Sequence, residues 1–359
     1  MKIGIMTFHN VVNYGGVLQC YALQQKLKEW GYDADVIDYQ NDTFKKFYSP
    51  FYITKPYMKK ILYMIYAFAQ KAGRREKFAK FVKKYIQLSN EKYDKNSISQ
   101  VNLKYDVFIT GSDQVWNLEL TDMDTNYFLQ FAKGRKISYA ASIGLSNLSE
   151  SMEENFKDLL SDFYAISVRE NSAEELISSI VSQSVYVHID PVLLLNQNSW
   201  SKIVDDAETK KEKYIVVYKI NKSKSYDAAE RLARKKGLQV KVIQPDKTCK
   251  LEFQKYKVAS PSDFVSLFKN ADYVITDSFH GTVFSIIFHK KFAYFCDESI
   301  GNRNSRIINL LNKLGLESRK YEEIESIDNI DMQIDYIKVD HILNQEREYS
   351  RQYIINSLQ

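Results

Sequence analysis

A histidine stands in a turn between two apolar runs at residues 276–282, Thr-Asp-Ser-Phe-His-Gly-Thr. The order of apolar run, turn and apolar run predicts a buried strand followed by a buried helix. Gly281 permits a tight turn, and Ser278 or Thr282 can cap the helix. The N–H groups at a helix start attract an anion, and His280 can exchange a proton near neutral pH. The stretch indicates proton transfer beside a bound anion, or else a core histidine in an ordinary strand–helix loop.

Two other motifs also follow strand-like runs. Residues 13–16 read Asn-Tyr-Gly-Gly, and residues 111–116 read Gly-Ser-Asp-Gln-Val-Trp. In an open α/β sheet, ligands bind at the carboxyl ends of the strands, and glycines let a ligand approach the backbone closely. Plain turns and helix caps are the alternative. The candidate binding residues of the two motifs are Asn13, Tyr14, Gly15, Gly16, Ser112, Asp113, Gln114 and Trp116.

Cationic side chains further along the chain could also hold an anion. Arg169 ends another strand-like run, and a guanidinium can bind a carboxylate or phosphate through two parallel hydrogen bonds. An ion pair with Glu170 or Asp190 is the alternative. Further candidate anion ligands follow the histidine turn, with a solvated surface as the alternative for the lysines: Lys290, Lys291, Arg303 and Arg306.

Strand-like and helical runs alternate along the chain, which predicts an α/β fold with parallel sheets and helices on both faces. The chain of 359 residues is long enough for two cores, and the alternation restarts after a polar segment at residues 196–213. We therefore expect one domain at residues 1–195 and a second at residues 196–335. A C-terminal helix at residues 336–359 is expected to pack back on the first domain.

The composition excludes several classes of protein. Apolar residues make up 45% of the chain, which argues against disorder, and three cysteines without a CxxC spacing argue against a disulfide framework or a zinc site. No cluster of metal ligands is visible. The net charge of +5 does not indicate a nucleic-acid binder. The N-terminus lacks a signal-peptide pattern and no apolar run reaches the length of a membrane span, so we expect a cytoplasmic protein.

One segment is unusually basic. Residues 44–85 carry twelve lysines or arginines and one acid, Glu76, with an apolar stripe at helical spacing. This segment forms most of an insertion in the first domain at residues 44–90. A basic amphipathic helix can lie on an anionic membrane, which would make the protein peripheral at that surface. A surface helix packed on the domain, with its lysines in water, is the alternative.

Five motifs occur in one order along the chain: Asn-Tyr-Gly at 13–15, Gly-Ser-Asp-Gln-Val-Trp at 111–116, Val-Arg-Glu at 168–170, Asp-Pro-Val-Leu-Leu at 190–194, and Thr-Asp-Ser-Phe-His-Gly-Thr at 276–282. In this order they resemble the polysaccharide pyruvyl transferase family, over residues 2–316. The resemblance implies a GT-B-like fold, with two Rossmann-like domains and an interdomain cleft. It also implies that His280 and Arg169 are catalytic, since they match the family's motif histidine and arginine.

The resemblance implies an activity as well. Characterised relatives transfer a pyruvyl group from phosphoenolpyruvate to two sugar hydroxyls and form a cyclic ketal. Nothing in this chemistry demands a metal, so we expect no cofactor beyond the donor substrate. The second domain would bind the donor through the residues around His280, including Phe279, and the first would bind the acceptor. The implied acceptor is a polyprenyl-linked sugar of a bacterial capsule or exopolysaccharide, met at the inner face of the membrane. The alternatives are a GT-B glycosyltransferase that uses a nucleotide sugar, and a glycan-binding protein without catalysis.

Overall fold

The computed structural model describes residues 1–43, 61–145, 147–204, 212–250, 252–296 and 305–359. The chain divides into two compact units. The first unit contains Met1–Leu194 and Glu346–Gln359, and the second contains Leu195–Gln345. Each unit has its own parallel β-sheet. Among the helices in these ranges, none is both long enough and apolar enough to cross a membrane.

The sheet of the first unit has five parallel strands in the order β3-β2-β1-β4-β5, beside a parallel pair, β6-β7. Single bridges between Ile137 and Ala165, and between Ala141 and Val168, connect β5 and the residues after it to β6. The strands are β1 Lys2–Met6, β2 Asp33–Tyr39, β3 Leu88–Tyr93, β4 Val107–Thr110, β5 Arg135–Ser138, β6 Ile166–Val168 and β7 Val185–Val187. The central strands β1 and β4 are apolar apart from Lys2 and Thr110, as expected where helices cover both faces of a parallel sheet.

Helices cover this sheet. They are α1 Tyr14–Glu29, α2 Ile61–Tyr85, α3 Leu118–Thr121, α4 Glu150–Leu160, α5 Asn171–Ser178 and α6 Pro191–Leu194, with 3₁₀ turns at Ile98–Leu103 and Thr125–Phe128. The last turns of α2 pack on α1: Phe78 is buried and its ring lies 5.0 Å from that of Tyr14. Residues 72–85 therefore form a packed surface helix. Residues 44–60 of the basic segment, and the side chains of residues 61–71, lie outside the described part of the chain.

The sheet of the second unit has six parallel strands in the order β10-β9-β8-β11-β12-β13. They are β8 Tyr214–Tyr218, β9 Gln239–Ile243, β10 Gln254–Tyr256, β11 Tyr273–Thr276, β12 Lys291–Phe295 and β13 Lys320–Tyr321. Its helices are α7 Gln197–Ser201, α8 Ser225–Lys236, α9 Pro261–Asn270, α10 Phe279–Ile287 and α11 Ser305–Leu314, with 3₁₀ turns at Glu317–Arg319 and Ile324–Asn329. The fold class predicted from the sequence, α/β with two Rossmann-like domains, is confirmed.

The last helix, α12 Tyr336–Leu358, ends in the first unit. There the Tyr353 hydroxyl donates a hydrogen bond to the carbonyl of Ser138 at 2.9 Å, and Arg135 donates to the carbonyl of Ser357 at 2.9 Å. The ring of Tyr353 also lies 4.5 Å from the buried imidazole of His188. These contacts attach the end of the chain to strand β5 and the segment after β7.

Each sheet changes direction at its first strand. In the first unit, β1 lies between β2 and β4, and in the second unit β8 lies between β9 and β11. The chain moves outward on one side of that strand and then returns to the other side. At such a switch point the loops that leave the two strands diverge, and the space between them is where open α/β sheets bind ligands. The switch points are therefore at the ends of β1 and β4, and of β8 and β11.

Candidate functional site

The histidine motif occupies the switch point of the second sheet. Strand β11 ends at Thr276, and Ser278 caps α10, its Oγ accepting the backbone N–H of Gly281 at 3.4 Å. The Thr276 hydroxyl donates to the carbonyl of Tyr218 at 2.6 Å and accepts from the Ser278 N–H at 3.1 Å. The sequence thus folds as a strand, a tight turn and a helix, with the ends of β8 and β11 connected through Thr276.

His280 is the second residue of α10 and is partly exposed. Its ring stands edge-on to the ring of Phe279, with 5.2 Å between the centroids. Ser278 and Thr282 are buried, and the Thr282 hydroxyl donates to the carbonyl of Ser278 at 3.1 Å. Within the motif, the two hydroxyl residues build the turn, while Phe279 and His280 face partly outward at the helix N-terminus, where backbone N–H groups suit an anion.

Asp277 holds the loop after β8 against this motif, a role that its sequence context did not indicate. Its carboxylate accepts the backbone N–H groups of Ile220 at 2.7 Å and Asn221 at 3.0 Å, and the Ser223 hydroxyl at 2.8 Å. Burial raises the pKa of Asp277, and these hydrogen bonds offset the rise only in part. Asp277 therefore fixes the geometry of the two loops that flank the switch point.

A buried lysine at the same edge was also missed. Lys219 directly follows β8, and its ammonium forms an ion pair with the Asp246 carboxylate at 2.6 Å. Burial raises the pKa of Asp246, but hydrogen bonds from Lys219 and Thr248 outweigh it and keep that pKa below its usual value. The sequence did carry a signal for this residue, because a lysine that directly follows a buried apolar strand lies at the end of the strand where ligands bind.

Lys290 and Lys291 do not lie beside His280, and their role as donor ligands stays a prediction. Lys291 begins β12 and pairs in register with Tyr273 at the start of β11, whereas His280 follows the end of β11. A strand of four residues spans about 13 Å. The Lys291 ammonium lies 2.8 Å from Asp331, and Lys290 donates to the carbonyl of Lys269 at 2.6 Å. Helix α10 has carried the chain to the opposite edge of the sheet.

The two predicted arginines of this region are Arg303 and Arg306. Arg306 is partly buried at the second position of α11. Arg303 lies outside the described residues, so its role stays a prediction.

In the first unit, the two remaining motifs meet at the switch point between β1 and β4. Asn13 caps α1 by accepting the Gly16 N–H at 3.1 Å. A Cβ atom on Gly16 would lie 2.9 Å from a methyl carbon of Val11 and 3.4 Å from an oxygen of Asp113. The Asp113 carboxylate thus lies over Gly16, in the first turn of α1. Gly15 is buried in the same turn.

Asp113 is held in an unusual backbone conformation. Its φ is 64°, in the left-handed region that side chains other than glycine rarely adopt. Its carbonyl accepts the N–H groups of Val115 at 2.8 Å and Ser142 at 2.9 Å. The side chains of Asp113 and Gln114 are partly exposed, and the Gln114 amide contacts Gly144. These two side chains can still reach a ligand.

Three of the residues predicted to bind an acceptor are fully buried. Tyr14 and Trp116 are 0% exposed, and the Trp116 ring stacks on Phe128 at 5.4 Å. Ser112 is equally buried, and its hydroxyl donates to the carbonyl of Ala140 at 2.6 Å. These side chains fill the core beneath the two loops, and direct sugar contacts for them stay a prediction.

Gln19 connects the loops from below and was not predicted. Its amide nitrogen donates to the Thr7 hydroxyl at 2.8 Å, and its amide oxygen accepts the N–H of Ser112 at 3.0 Å. Gln19 is fully buried in α1. It therefore couples the end of β1 to the start of the second motif.

Arg169 is surrounded by carboxylates. Its guanidinium lies 2.8 Å from Asp190, 3.7 Å from Asp113 and 3.7 Å from Glu170, and the side chain is buried. Burial lowers the pKa of Arg169, but the charges of Asp190, Asp113 and Glu170 outweigh it and raise the pKa above its usual value. Arg169 therefore forms the ion pairs with Asp190 and Glu170 that the sequence offered as the alternative to an anion-binding role. A contact between Arg169 and the donor stays a prediction.

A buried histidine–aspartate pair stands beside the first motif. The Nε2 of His9 lies 3.1 Å from the Asp38 carboxylate, and its Nδ1 lies 3.3 Å from the carbonyl of Thr7. Gln40 also donates to Asp38. Burial raises the pKa of Asp38, but the hydrogen bond and charge of His9 and the hydrogen bond from Gln40 outweigh it and hold that pKa below its usual value. The pair fixes the loop that leads to Asn13.

Comparison with known proteins agrees with the motifs. Residues 13–295 match the profile of the polysaccharide pyruvyl transferase family. None of the curated protein sequences matches the chain significantly.

Solved structures with a similar fold include a protein from Listeria monocytogenes assigned as a UDP-N-acetylglucosamine 2-epimerase. It shares 9% identity at a TM-score of 0.54, with 97% of this chain and 90% of that chain covered. Another UDP-N-acetylglucosamine 2-epimerase shares 12% identity at a TM-score of 0.53, with 98% and 94% covered. At such low identity these neighbours show a GT-B-like fold and nothing more.

Proposed function

The chain belongs to the polysaccharide pyruvyl transferase family, and on this premise we propose that it transfers the pyruvyl group of phosphoenolpyruvate to two hydroxyls of a sugar, forming a cyclic ketal. The observation that carries the proposal is the position of His280, in the first turn of α10 at the switch point of the second sheet. A proton donor beside a helix N-terminus suits a donor that is both an anion and an enol ester.

The proposed reaction has four bond changes around the pyruvyl carbons. C3 of phosphoenolpyruvate accepts a proton and becomes a methyl group, and C2 forms a bond to the first sugar oxygen. The bond between C2 and the bridging oxygen then breaks, and phosphate leaves with that oxygen. The second sugar oxygen bonds to C2 and closes the ring. Of the two hydroxyl protons released, one balances the proton on C3 and the other leaves with phosphate or solvent.

In this proposal His280 delivers the proton to C3 and regains one from a sugar hydroxyl. A positioned acid–base group of this kind contributes about 10²–10⁴ in rate. The backbone N–H groups at the start of α10 face the donor's negative charge. Phe279 shields the imidazole on one side, and Ser278, Gly281 and Thr282 hold the turn.

The first unit is proposed to bind the sugar. Asp113 and Gln114 offer a carboxylate and an amide at the switch point, and both groups commonly bind sugar hydroxyls through hydrogen bonds. Asn13, Gly15 and Gly16 shape the start of α1 beside them. One oxygen of the Asp113 carboxylate lies 3.7 Å from the Arg169 guanidinium, and the other faces Gly16 at the start of α1.

We place the reaction in the synthesis of a bacterial surface polysaccharide, with a polyprenyl-linked sugar as acceptor and a cytoplasmic enzyme that contacts the inner face of the membrane. The support for this is the family and the basic character of residues 44–85. Anionic lipid attracts each nearby lysine or arginine by about 1 kcal/mol.

The test follows phosphate release from phosphoenolpyruvate that carries ¹⁸O in its bridging oxygen, against a panel of free and lipid-linked sugars. We expect acceptor-dependent release of phosphate that contains the label, together with a sugar product that has gained a ketal. Phosphate without the label would mean that the P–O bond breaks and would reject the mechanism. Turnover of a nucleotide sugar, with phosphoenolpyruvate inert, would reject the function in favour of a glycosyltransferase.

A further inference from the structure

Binding phosphoenolpyruvate beside His280 would require a cation at the carboxyl end of the strands of the second sheet. Phosphoenolpyruvate carries a phosphate and a carboxylate, and a helix N-terminus offers only partial charge. Lys291 pairs with Tyr273 at the start of β11, and Lys290 directly precedes it, so both lie at the opposite end of the strands. In the described residues, Lys219 is the lysine at the end of β8, next to the histidine motif.

The backbone of Lys219 lies at the same end of the sheet as the histidine motif. Tyr218 pairs in register with Thr276, so the residues that follow them, Lys219 and Asp277, leave the sheet side by side. The Asp277 carboxylate accepts hydrogen bonds from the N–H groups of Ile220 and Asn221, in the loop after β8 that begins with Lys219. The loop that carries the ammonium is therefore fixed to the loop that carries the histidine.

The ammonium itself is buried and held in place. The Lys219 side chain is only 7% exposed, and its Nζ lies 4.8 Å from the ring centroid of Tyr226. Removing an ammonium from water is costly unless it has a charged partner, which Asp246 supplies. An ammonium has three donor hydrogens, and Asp246 occupies one of them. The site keeps hydrogen-bonding capacity for a second anion.

Asp246 is the more exposed member of the pair, with 43% of its side chain in solvent. Thr248 holds its other oxygen through the backbone N–H at 2.7 Å and the hydroxyl at 2.6 Å. The exposed carboxylate makes the pair accessible from solvent. An incoming phosphate or carboxylate would share Lys219 with Asp246 or replace it.

We propose that Lys219 binds the negative charge of the donor, as an anion ligand at the switch point between β8 and β11. This inference rests on the proposed function for the identity of the donor, phosphoenolpyruvate. It assigns to Lys219 the donor contact that the sequence had given to Lys290 and Lys291.

A purely structural ion pair makes a different prediction. If the pair only braces the loop after β9, then Lys219→Met and Asp246→Asn break the same contact and should have the same effects. If Lys219 binds the donor, the two variants should separate. Lys219→Met removes the ligand, whereas Asp246→Asn keeps the ammonium and removes the carboxylate that competes for it.

The experiment measures the binding of phosphoenolpyruvate and of inorganic phosphate to the full chain by calorimetry, with melting temperatures and circular dichroism for each variant. We expect Lys219→Met to raise the Kd for phosphoenolpyruvate on the order of 10- to 100-fold. Asp246→Asn should leave that Kd unchanged or lower it, and Lys219→Arg should recover part of the loss. Lys224→Met is the matched control, because Lys224 is exposed and its ammonium contacts Glu322 and Glu323.

The outcomes separate this inference from the proposed function. Equal Kd values for Lys219→Met and wild type, or equal losses in Lys219→Met and Asp246→Asn, would overturn the anion site even if pyruvyl transfer is observed. Loss of phosphate binding in Lys219→Met alone would support the site even if phosphoenolpyruvate is not turned over. A wild type that binds neither probe would overturn it as well. If Lys219→Met does not fold, Lys219→Arg is compared with Asp246→Asn instead. A higher Kd for phosphoenolpyruvate in Lys219→Arg alone would support the site, and equal losses in both variants would overturn it.

Discussion

Gly281 and Thr276 lie so close together that no Cβ atom fits between them: a methyl group on Gly281 would overlap the Thr276 hydroxyl. Thr276 cannot easily move aside, because its hydroxyl bonds to the carbonyl of Tyr218 at 2.6 Å and to the N–H of Ser278 at 3.1 Å. The glycine of the histidine motif is therefore required for α10 to begin directly against the end of β11. This contact sets where His280 stands.

We predict that Gly281→Ala destabilises the second unit by about 1–3 kcal/mol, the usual cost of forcing an extra carbon into a packed site. Denaturant unfolding measures it. In a Thr276→Ala background the added methyl no longer meets the hydroxyl, so the cost should fall. Gly237→Ala is the control, because open space surrounds Gly237 and its cost should be the same in both backgrounds. A cost of Gly281→Ala that does not depend on residue 276 would contradict the steric explanation.

A second prediction concerns the carboxylates around Arg169. Arg169→Met should destabilise the first unit by about 3–5 kcal/mol at pH 7, because it leaves Asp113, Glu170 and Asp190 without the cation that compensates them. Lowering the pH should restore part of the stability of this variant, since protonation removes the repulsion. Melting temperatures between pH 7 and pH 4 test this against wild type and Arg169→Lys. A deficit that does not shrink as the pH falls would count against the prediction.

The fold was predictable where the strands are buried on both faces. Strands such as β8 and β11 read as short apolar runs between turns, and α/β alternation follows from them. Strand β3, Leu88–Tyr93, was missed because an edge strand with the sequence Leu-Ser-Asn-Glu-Lys-Tyr has no apolar run. Strands β10 and β13 are also short and polar at the edges of their sheet. Their pairing depends on neighbours that are distant in sequence.

The motifs of the site were predictable from the sequence, but the residues that lie beside them in the fold were not. Lys290 stands close to His280 in sequence, yet α10 places it at the other edge of the sheet. Lys219 stands far from His280 in sequence, yet strand pairing brings its loop to the same edge. Nor can residue type distinguish an aromatic ring that stacks on a sugar from one that fills a core, as Trp116 does.

A third prediction follows from the pair formed by His9 and Asp38. A carboxyl whose pKa is lower in the folded chain than in the unfolded chain stabilises the fold above its unfolded pKa, and this stabilisation is lost as the pH falls through the folded pKa. Asp38→Asn should therefore destabilise the protein at pH 7, and its deficit relative to wild type should shrink below about pH 4. The free energy of unfolding from pH 7 to pH 3 measures it. Asp33→Asn, an exposed position of the same strand, is the control, and a deficit for Asp38→Asn that stays constant over this range would refute the coupling.

A fourth prediction addresses the basic segment. The protein should sediment with anionic vesicles at low salt and be released as salt rises, because the Debye length falls from about 30 Å at 0.01 M to about 10 Å at 0.1 M. Reversing Arg75, Lys80 and Lys83 to glutamate should weaken sedimentation, since these side chains are exposed on α2. Turnover of a short soluble acceptor should not change. Arg74 is left intact, because it donates to the carbonyl of Val12, directly before the Asn-Tyr-Gly-Gly motif. No sedimentation of the wild type at low salt would reject membrane contact.

The final prediction concerns catalysis at His280. His280→Ala should lower kcat by about 10²–10⁴ while the Kd for phosphoenolpyruvate stays within a few-fold of wild type, because the side chain supplies a proton and the helix start and lysine supply the charge. Single-turnover phosphate release and calorimetry measure the two quantities separately. His289→Ala is the matched control: His289 is exposed beyond the other end of α10, paired with Asp340 at 3.1 Å, and its loss should leave kcat unchanged. If His280→Ala turned over at the wild-type rate, the proton on C3 would have to come from another group. If it lost donor binding and kcat together, the imidazole would be a ligand rather than an acid.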